Sequence, residues 1–126
     1  MSITKLENSG KKILIVDDSE LIHYILNNFF KNSSFELIHA HTGKEAVKLF
    51  KENNDIKVIL LDVELPDISG FEVAKYILSI SSSNILMQTG SLNEGFLEKM
   101  KKYNLNNYII KPYSKTNLIK SVIKLI

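Results

Sequence analysis

The sequence predicts an α/β fold in which a five-stranded parallel sheet carries helices on both faces. Three observations point there. Five short apolar runs recur along the chain, segments of helical spacing lie between them, and three of the runs are almost continuously apolar. Strands buried on both faces look like this, whereas half-exposed strands alternate.

The elements follow in order. "KILIV" (12–16) is the first strand, and Leu21, Ile22, Ile25, Leu26, Phe29 and Phe30 then fall on one stripe of a helix over 19–32. "FELIHA" (35–40) is the second strand, followed by a weaker stripe over 43–53. "KVILLD" (57–62) leads into a helix over 70–81, and "NILMQT" (84–89) into one over 93–103. "NYII" (107–110) is the fifth strand, and Leu118, Ile119, Val122, Ile123 and Ile126 stripe the last helix over 115–126. Five strand–helix units in succession imply right-handed crossovers. Residues 1–10 read as a polar, flexible leader and 11–126 as one domain, a size that supports a real core.

Composition removes several classes of function. Net charge is +2, and every basic residue is Lys. Readers of nucleic acid lean on the bidentate fork of Arg, so direct nucleic-acid binding is not expected. Cysteine is absent, which excludes disulfides, thiolate nucleophiles and Cys-based metal sites and suits a reducing cytoplasm. No apolar run approaches the roughly 18 residues of a membrane span, and residues 1–10 lack the apolar stretch of a signal peptide. The expectation is a cytoplasmic domain with no membrane insertion.

In a sheet of this kind the ligand site lies at the carboxyl ends of the strands. Asp17 and Asp18 follow the first strand, Asp62 ends the third, Thr89 ends the fourth and Lys111 follows the fifth. Two adjacent carboxylates at about 4 Å repel by roughly 4 kcal/mol at an effective dielectric near 20. A cation must compensate them, or they must point into water. Each residue alone has an ordinary explanation. Asp17, Asp18 or Ser19 can cap the first helix, Asp62 can open a turn, Thr89 and Tyr108 can be strand fillers, and Lys111 can be solvated. Convergence of five such groups on one edge is harder to explain that way.

These residues resemble the receiver domain of bacterial two-component response regulators, the family of the small chemotaxis regulator. The resemblance spans about 11–126 and rests on "VDDS", "LLDVELPDISGFEV", "QTG", Tyr108, Lys111–Pro112, and Ala40, Gly43 and Ala46 in "AHTGKEAVKLF". It implies a flavodoxin-like (βα)5 fold with strand order 2-1-3-4-5. It also implies Mg²⁺-dependent transfer of a phosphoryl group from the phosphohistidine of a histidine kinase or histidine phosphotransfer protein onto Asp62. By the same resemblance Asp17, Asp18, Asp62 and the backbone carbonyl of Glu64 hold Mg²⁺, and Lys111 and Thr89 contact the phosphoryl group. Thr89 and Tyr108 form the switch, Lys111–Pro112 is a cis peptide, and Glu64 and Ser91 modulate rates. The 93–126 face would meet a downstream protein target, and the domain would catalyse only its own phosphorylation and dephosphorylation.

The chain departs from the family pattern at few positions. Glu64 stands two residues after the acceptor, at the mouth of the expected site and within possible reach of Lys111. Leu65 replaces a common Met, and Asn104 stands where Gly is frequent, a position Asn can fill in a left-handed helix cap. No output domain follows the last helix, so a stand-alone receiver and one excised from a longer regulator or hybrid kinase are both open. Two rivals remain: an Asp-nucleophile phosphatase of the haloacid dehalogenase type, and a phosphorylation-independent interaction module. His39 and His41 alternate and so share a face, with no third ligand evident; they are expected as surface residues, and His23 as a partly exposed helix residue. The lysines of 99–102 and 115–124 are expected on solvated helix faces.

Overall fold

The computed structural model describes residues 11–126, so the leader expected at 1–10 lies outside the described residues. Strands β1 (Lys12–Val16), β2 (Glu36–Ala40), β3 (Ile56–Asp62), β4 (Asn84–Thr89) and β5 (Tyr108–Ile110) alternate with α1 (Glu20–Phe29), α2 (Gly43–Glu52), α3 (Gly70–Ile80), α4 (Glu94–Lys102) and α5 (Lys115–Leu125). The strands form one parallel sheet in the order 2-1-3-4-5. Each face of the sheet carries its own apolar core. Leu14, Val16, Ile59, Leu61, Ile85 and Met87 pack under α2, α3 and α4, while Ile13, Ile15, Val58, Leu60 and Leu86 pack under α1 and α5.

Local sequence explains where the helices start. Ser19, Thr42, Ser69, Asn93 and Ser114 are their N-caps, each accepting a hydrogen bond from a backbone N–H of the first turn. Such a cap contributes about 1 kcal/mol. The cap of α1 is thus Ser19, which leaves Asp17 and Asp18 free of that duty. Helix α4 ends in a Schellman motif: Leu105 N–H bonds Met100 O at 2.8 Å, Asn104 N–H bonds Lys101 O at 3.1 Å, and Asn104 has φ 56°. Asn104 therefore fills the left-handed position as its chemistry suggests.

Helix α1 differs from expectation in three ways. It ends at Phe29 rather than 32, because Phe30 turns in to meet Phe35 (ring centroids 5.7 Å) and Ser33 Oγ bonds Phe30 O. Leu21 lies on the outer face with Tyr24, both well exposed. His23 is only 4% exposed, not a partly exposed residue. Its Nε2 donates to the carbonyl of Asp17 at 2.7 Å, which satisfies a polar ring inside the fold. His39 and His41, expected on the surface, are half-buried against it. Among the described residues no helix is long and apolar enough to cross a membrane.

Candidate functional site

The carboxyl ends of β1, β3, β4 and β5 bring the charged residues together. Lys111 Nζ donates to Asp17 Oδ2 at 2.7 Å and to Asp62 Oδ2 at 2.9 Å. Asp17 is fully buried and Asp62 nearly so, while Asp18 is exposed. The remaining oxygens are also engaged, Asp17 Oδ1 by Ser19 N–H at 2.9 Å and Asp62 Oδ1 by Glu64 N–H at 3.2 Å. One ammonium therefore compensates two carboxylates that come from strands far apart in sequence. Burial pushes the pKa of Asp62 up; the hydrogen bond and charge of Lys111 oppose this, Asp17 adds to it, and the net direction is up. Burial works against the charge of Lys111, but Asp17 and Asp62 together hold its pKa above the ordinary lysine value.

Asp17, Asp18 and Asp62 each offer an oxygen, all within 4.8 Å of one another. An all-oxygen set of this size fits a small hard divalent cation, which prefers few carboxylates and retained water. Beside it opens a cleft of about 530 Å³ lined by Glu64, Thr89, Ser91, Phe96, Lys99 and Lys111 among others. Gly70 is required next to the site, since a Cβ there would press into the Asp62 carbonyl oxygen. Gly70 N–H also bonds Val63 O at 2.8 Å, closing the loop behind Asp62.

The description "response regulator receiver domain" fits residues 13–123 as a family match. The chain belongs to this family. It is 34% identical over 110 residues to the transcriptional regulatory protein SrrA of Staphylococcus aureus, a match covering 87% of this chain and 45% of the relative. The chain thus spans less than half the length of that relative. The chemotaxis protein CheY4 of Vibrio cholerae superposes with a TM-score of 0.85 at 26% identity, over 92% of this chain and 98% of that one. A CheY-like receiver from Methanospirillum hungatei gives 0.81 at 25% identity, over 90% and 91%.

In this receiver domain Thr89 Oγ1 donates to Ser91 O at 2.8 Å and accepts from Ser91 N–H at 3.2 Å. Tyr108 lies on the surface side, 39% exposed, with its ring edge-on to Phe96 at 5.5 Å. From Phe96 the aromatic contacts continue to Phe71 and then to Tyr103, whose hydroxyl donates to Glu72 at 3.0 Å. The Lys111–Pro112 peptide is cis. Glu64 is exposed at the cleft mouth, and among the described residues it forms no ion pair with Lys111.

Two features of the receiver escaped the sequence reading. Gln88, fully buried beside Thr89, accepts a hydrogen bond from Tyr113 Oη at 2.5 Å, tying β4 to the segment that follows Lys111. Burial, and then Asp17 and Asp62, drive the Tyr113 phenol pKa upward, so it stays a donor. Asp67 accepts from the N–H groups of Gly43 (2.7 Å) and Lys44 (2.9 Å), pinning the loop after Asp62 to the start of α2.

Proposed function

We propose that this receiver accepts a phosphoryl group on Asp62 from the phosphohistidine of a histidine kinase or histidine phosphotransfer protein, acting in the cytoplasm. The observation that carries the reading is Lys111 Nζ bridging Asp17 and Asp62, with Asp18 alongside, at the carboxyl ends of the sheet. Asp17, Asp18, Asp62 and the carbonyl of Glu64 would hold Mg²⁺, which cancels carboxylate repulsion and neutralises charge on the phosphoryl oxygens. A carboxylate oxygen of Asp62 forms the new P–O bond while the P–N bond breaks and its electron pair stays on the imidazole. Lys111 acts as a fixed positive charge beside the transferred group. No outside substrate is turned over; the catalysis is confined to the domain's own Asp.

The added charge at Asp62 draws the Thr89 hydroxyl toward the phosphoryl oxygens, and Tyr108 turns inward behind it. The surface formed by 93–126 then changes for a downstream protein partner. Thr89→Ala and Tyr108→Ala should each accept phosphate yet lower the ratio of partner affinities with and without beryllofluoride. Identical ratios in wild type and both variants would move the switch elsewhere.

The deciding experiment is intact-mass measurement after incubation with acetyl phosphate and Mg²⁺. One phosphoryl group per chain, labile to hydroxylamine and absent from Asp62→Asn, is the expected result. Labelling of Asp62→Asn to the same extent refutes the acceptor, and steady turnover of a phosphate monoester favours a dehalogenase-type phosphatase.

A further inference from the structure

Gln88 sits beside Asp62 in the sheet. The two residues are register partners across β3 and β4, and each stands two positions after a leucine of the α1/α5 core, Leu60 or Leu86. Their side chains therefore leave the sheet on the same face. The backbone here is engaged as well. Gln88 O accepts from the N–H of Val63, directly after Asp62, at 3.1 Å, and Thr89 O accepts from Lys111 N–H at 2.8 Å. Gln88 and Thr89 thus bracket the strand that ends in Asp62 and the residue that carries the ammonium.

That bracket fixes Lys111 on its upstream side. A lysine stem is flexible, so its ammonium keeps one position only where the backbone is held on both sides. Downstream, Pro112 and Ser114 are exposed, and Tyr113 is the side chain of this connection that turns inward, against the α1/α5 core. Its hydroxyl donates to Gln88 Oε1 at 2.5 Å. Gln88 is fully buried, and its Nε2 has no partner among the described residues, so the phenol alone orients the carboxamide. A half-paired buried amide is unfavourable, and apolar side chains at both positions would avoid it. The phenol also lies in the field of the acidic site: burial first, and then the charges of Asp17 and Asp62, push its pKa up.

We propose that the Gln88–Tyr113 hydrogen bond is a tether that holds the Lys111 ammonium in place between Asp17 and Asp62. Gln88 and Tyr113 are positioning residues, acting through Lys111 and not on the transferred group. The kinetic consequence rests on Asp62 being the phosphoacceptor. Lys111 Nζ lies 2.7 Å from Asp17 Oδ2 and 2.9 Å from Asp62 Oδ2. A misplacement of about 1 Å at a reacting centre lowers a rate by up to about 100-fold, so a loosened loop after Lys111 is felt at the acceptor. Because Gln88 directly precedes Thr89, the tether also joins the lysine and the switch hydroxyl into one unit.

The test separates position from stability. Labelling of Asp62 by acetyl phosphate in saturating Mg²⁺ is followed by intact mass against donor concentration, at a temperature where every variant is folded. Tyr113→Phe should lower the limiting rate about tenfold and leave the half-saturating concentration nearly unchanged. The double variant Gln88→Leu/Tyr113→Phe replaces the pair by apolar groups and should stay as slow, whereas a purely structural pair would let the rate recover with the fold. A second readout needs no phosphoryl group: ¹⁵N spectra of the lysine ammonium groups in EDTA, with the Lys111 signal assigned by its loss in Lys111→Met. That signal should exchange slowly with water in wild type and broaden in Tyr113→Phe and in the double variant. Should Tyr113→Phe fail to fold, the double variant decides both readouts. A double variant that labels at the wild-type rate, or a Lys111 signal unchanged in the variants, overturns the tether. Absence of labelling in wild type refutes the phosphoacceptor reading instead, and the ammonium signal then decides the tether alone.

Discussion

Lys111→Met, studied in EDTA, tests how the acidic site tolerates its own charge. Methionine keeps most of the apolar stem and removes only the ammonium, so packing around the chain is largely preserved. The ammonium now bonds Asp17 at 2.7 Å and Asp62 at 2.9 Å, and oxygens of these two residues lie within 4.8 Å of each other. At that distance two unit charges repel by about 3 kcal/mol at an effective dielectric near 20, and stripping the partner from a buried pair costs about 3–5 kcal/mol. The variant should lose about 3 kcal/mol in EDTA at neutral pH, roughly 10 °C in Tm for a domain of this size. The sign of its pH dependence follows from Asp62. Its pKa is raised in the folded protein mainly by burial, and loss of the opposing Lys111 raises it further. A raised folded pKa means that the penalty is absent below the unfolded carboxylate value. It develops as pH rises toward the folded value and stays constant above it. Wild type and variant should therefore converge in acid, and Mg²⁺ at neutral pH should stabilise the variant more than wild type. Thermal unfolding followed by circular dichroism, with EDTA or Mg²⁺ at both pH values, reads all three. An equal Tm in EDTA at neutral pH, or a deficit unchanged in acid, refutes the reasoning.

Other substitutions probe the surroundings. Glu64→Gln removes a negative charge from the cleft mouth and should speed labelling by acetyl phosphate, most at low salt; equal rates at all salt concentrations would make Glu64 a bystander. Gly70→Ala forces the loop behind Asp62 to shift and should cost about 1–3 kcal/mol by urea titration, with slower labelling. Tyr113→Phe leaves the buried Gln88 amide without its hydrogen-bond donor and should cost about 1–3 kcal/mol. The double variant Gln88→Leu/Tyr113→Phe should return most of that loss, and no recovery would mean that the pair is not a unit.

What could be read from the sequence was whatever repeats or falls at a strand end. β1 and β4 were bounded correctly because their apolar runs stop at polar residues on both sides. Asp17, Asp62, Thr89 and Lys111 came together because parallel strands must point their carboxyl ends the same way. The end of α1 was overshot because Phe30 continues the helical stripe while its backbone leaves the helix to reach Phe35. The Gln88–Tyr113 pair was invisible because it joins residues 25 positions apart, and an inward Gln looks like an interruption of a strand. His23 did leave a trace: it stands three residues before Leu26 and seven before Phe30, both buried, and so falls on the inner face. Its meeting with His39 depends on how α1 crosses β2, which no local spacing encodes.

The two bonds between Thr89 and Ser91 make the hydroxyl a latch that is closed in this structure. On the phosphoacceptor reading, Thr89 cannot simply gain a partner when Asp62 is modified; it must release the Ser91 carbonyl to take another oxygen. Ser91 is exposed, so water can replace the lost donor, and the number of hydrogen bonds stays nearly constant. Only the quality of the acceptor changes, from a neutral carbonyl to a charged oxygen that binds about twice as strongly. On that reading charge sets the direction of the exchange, and removing the phosphoryl group would be enough to let the latch fall shut.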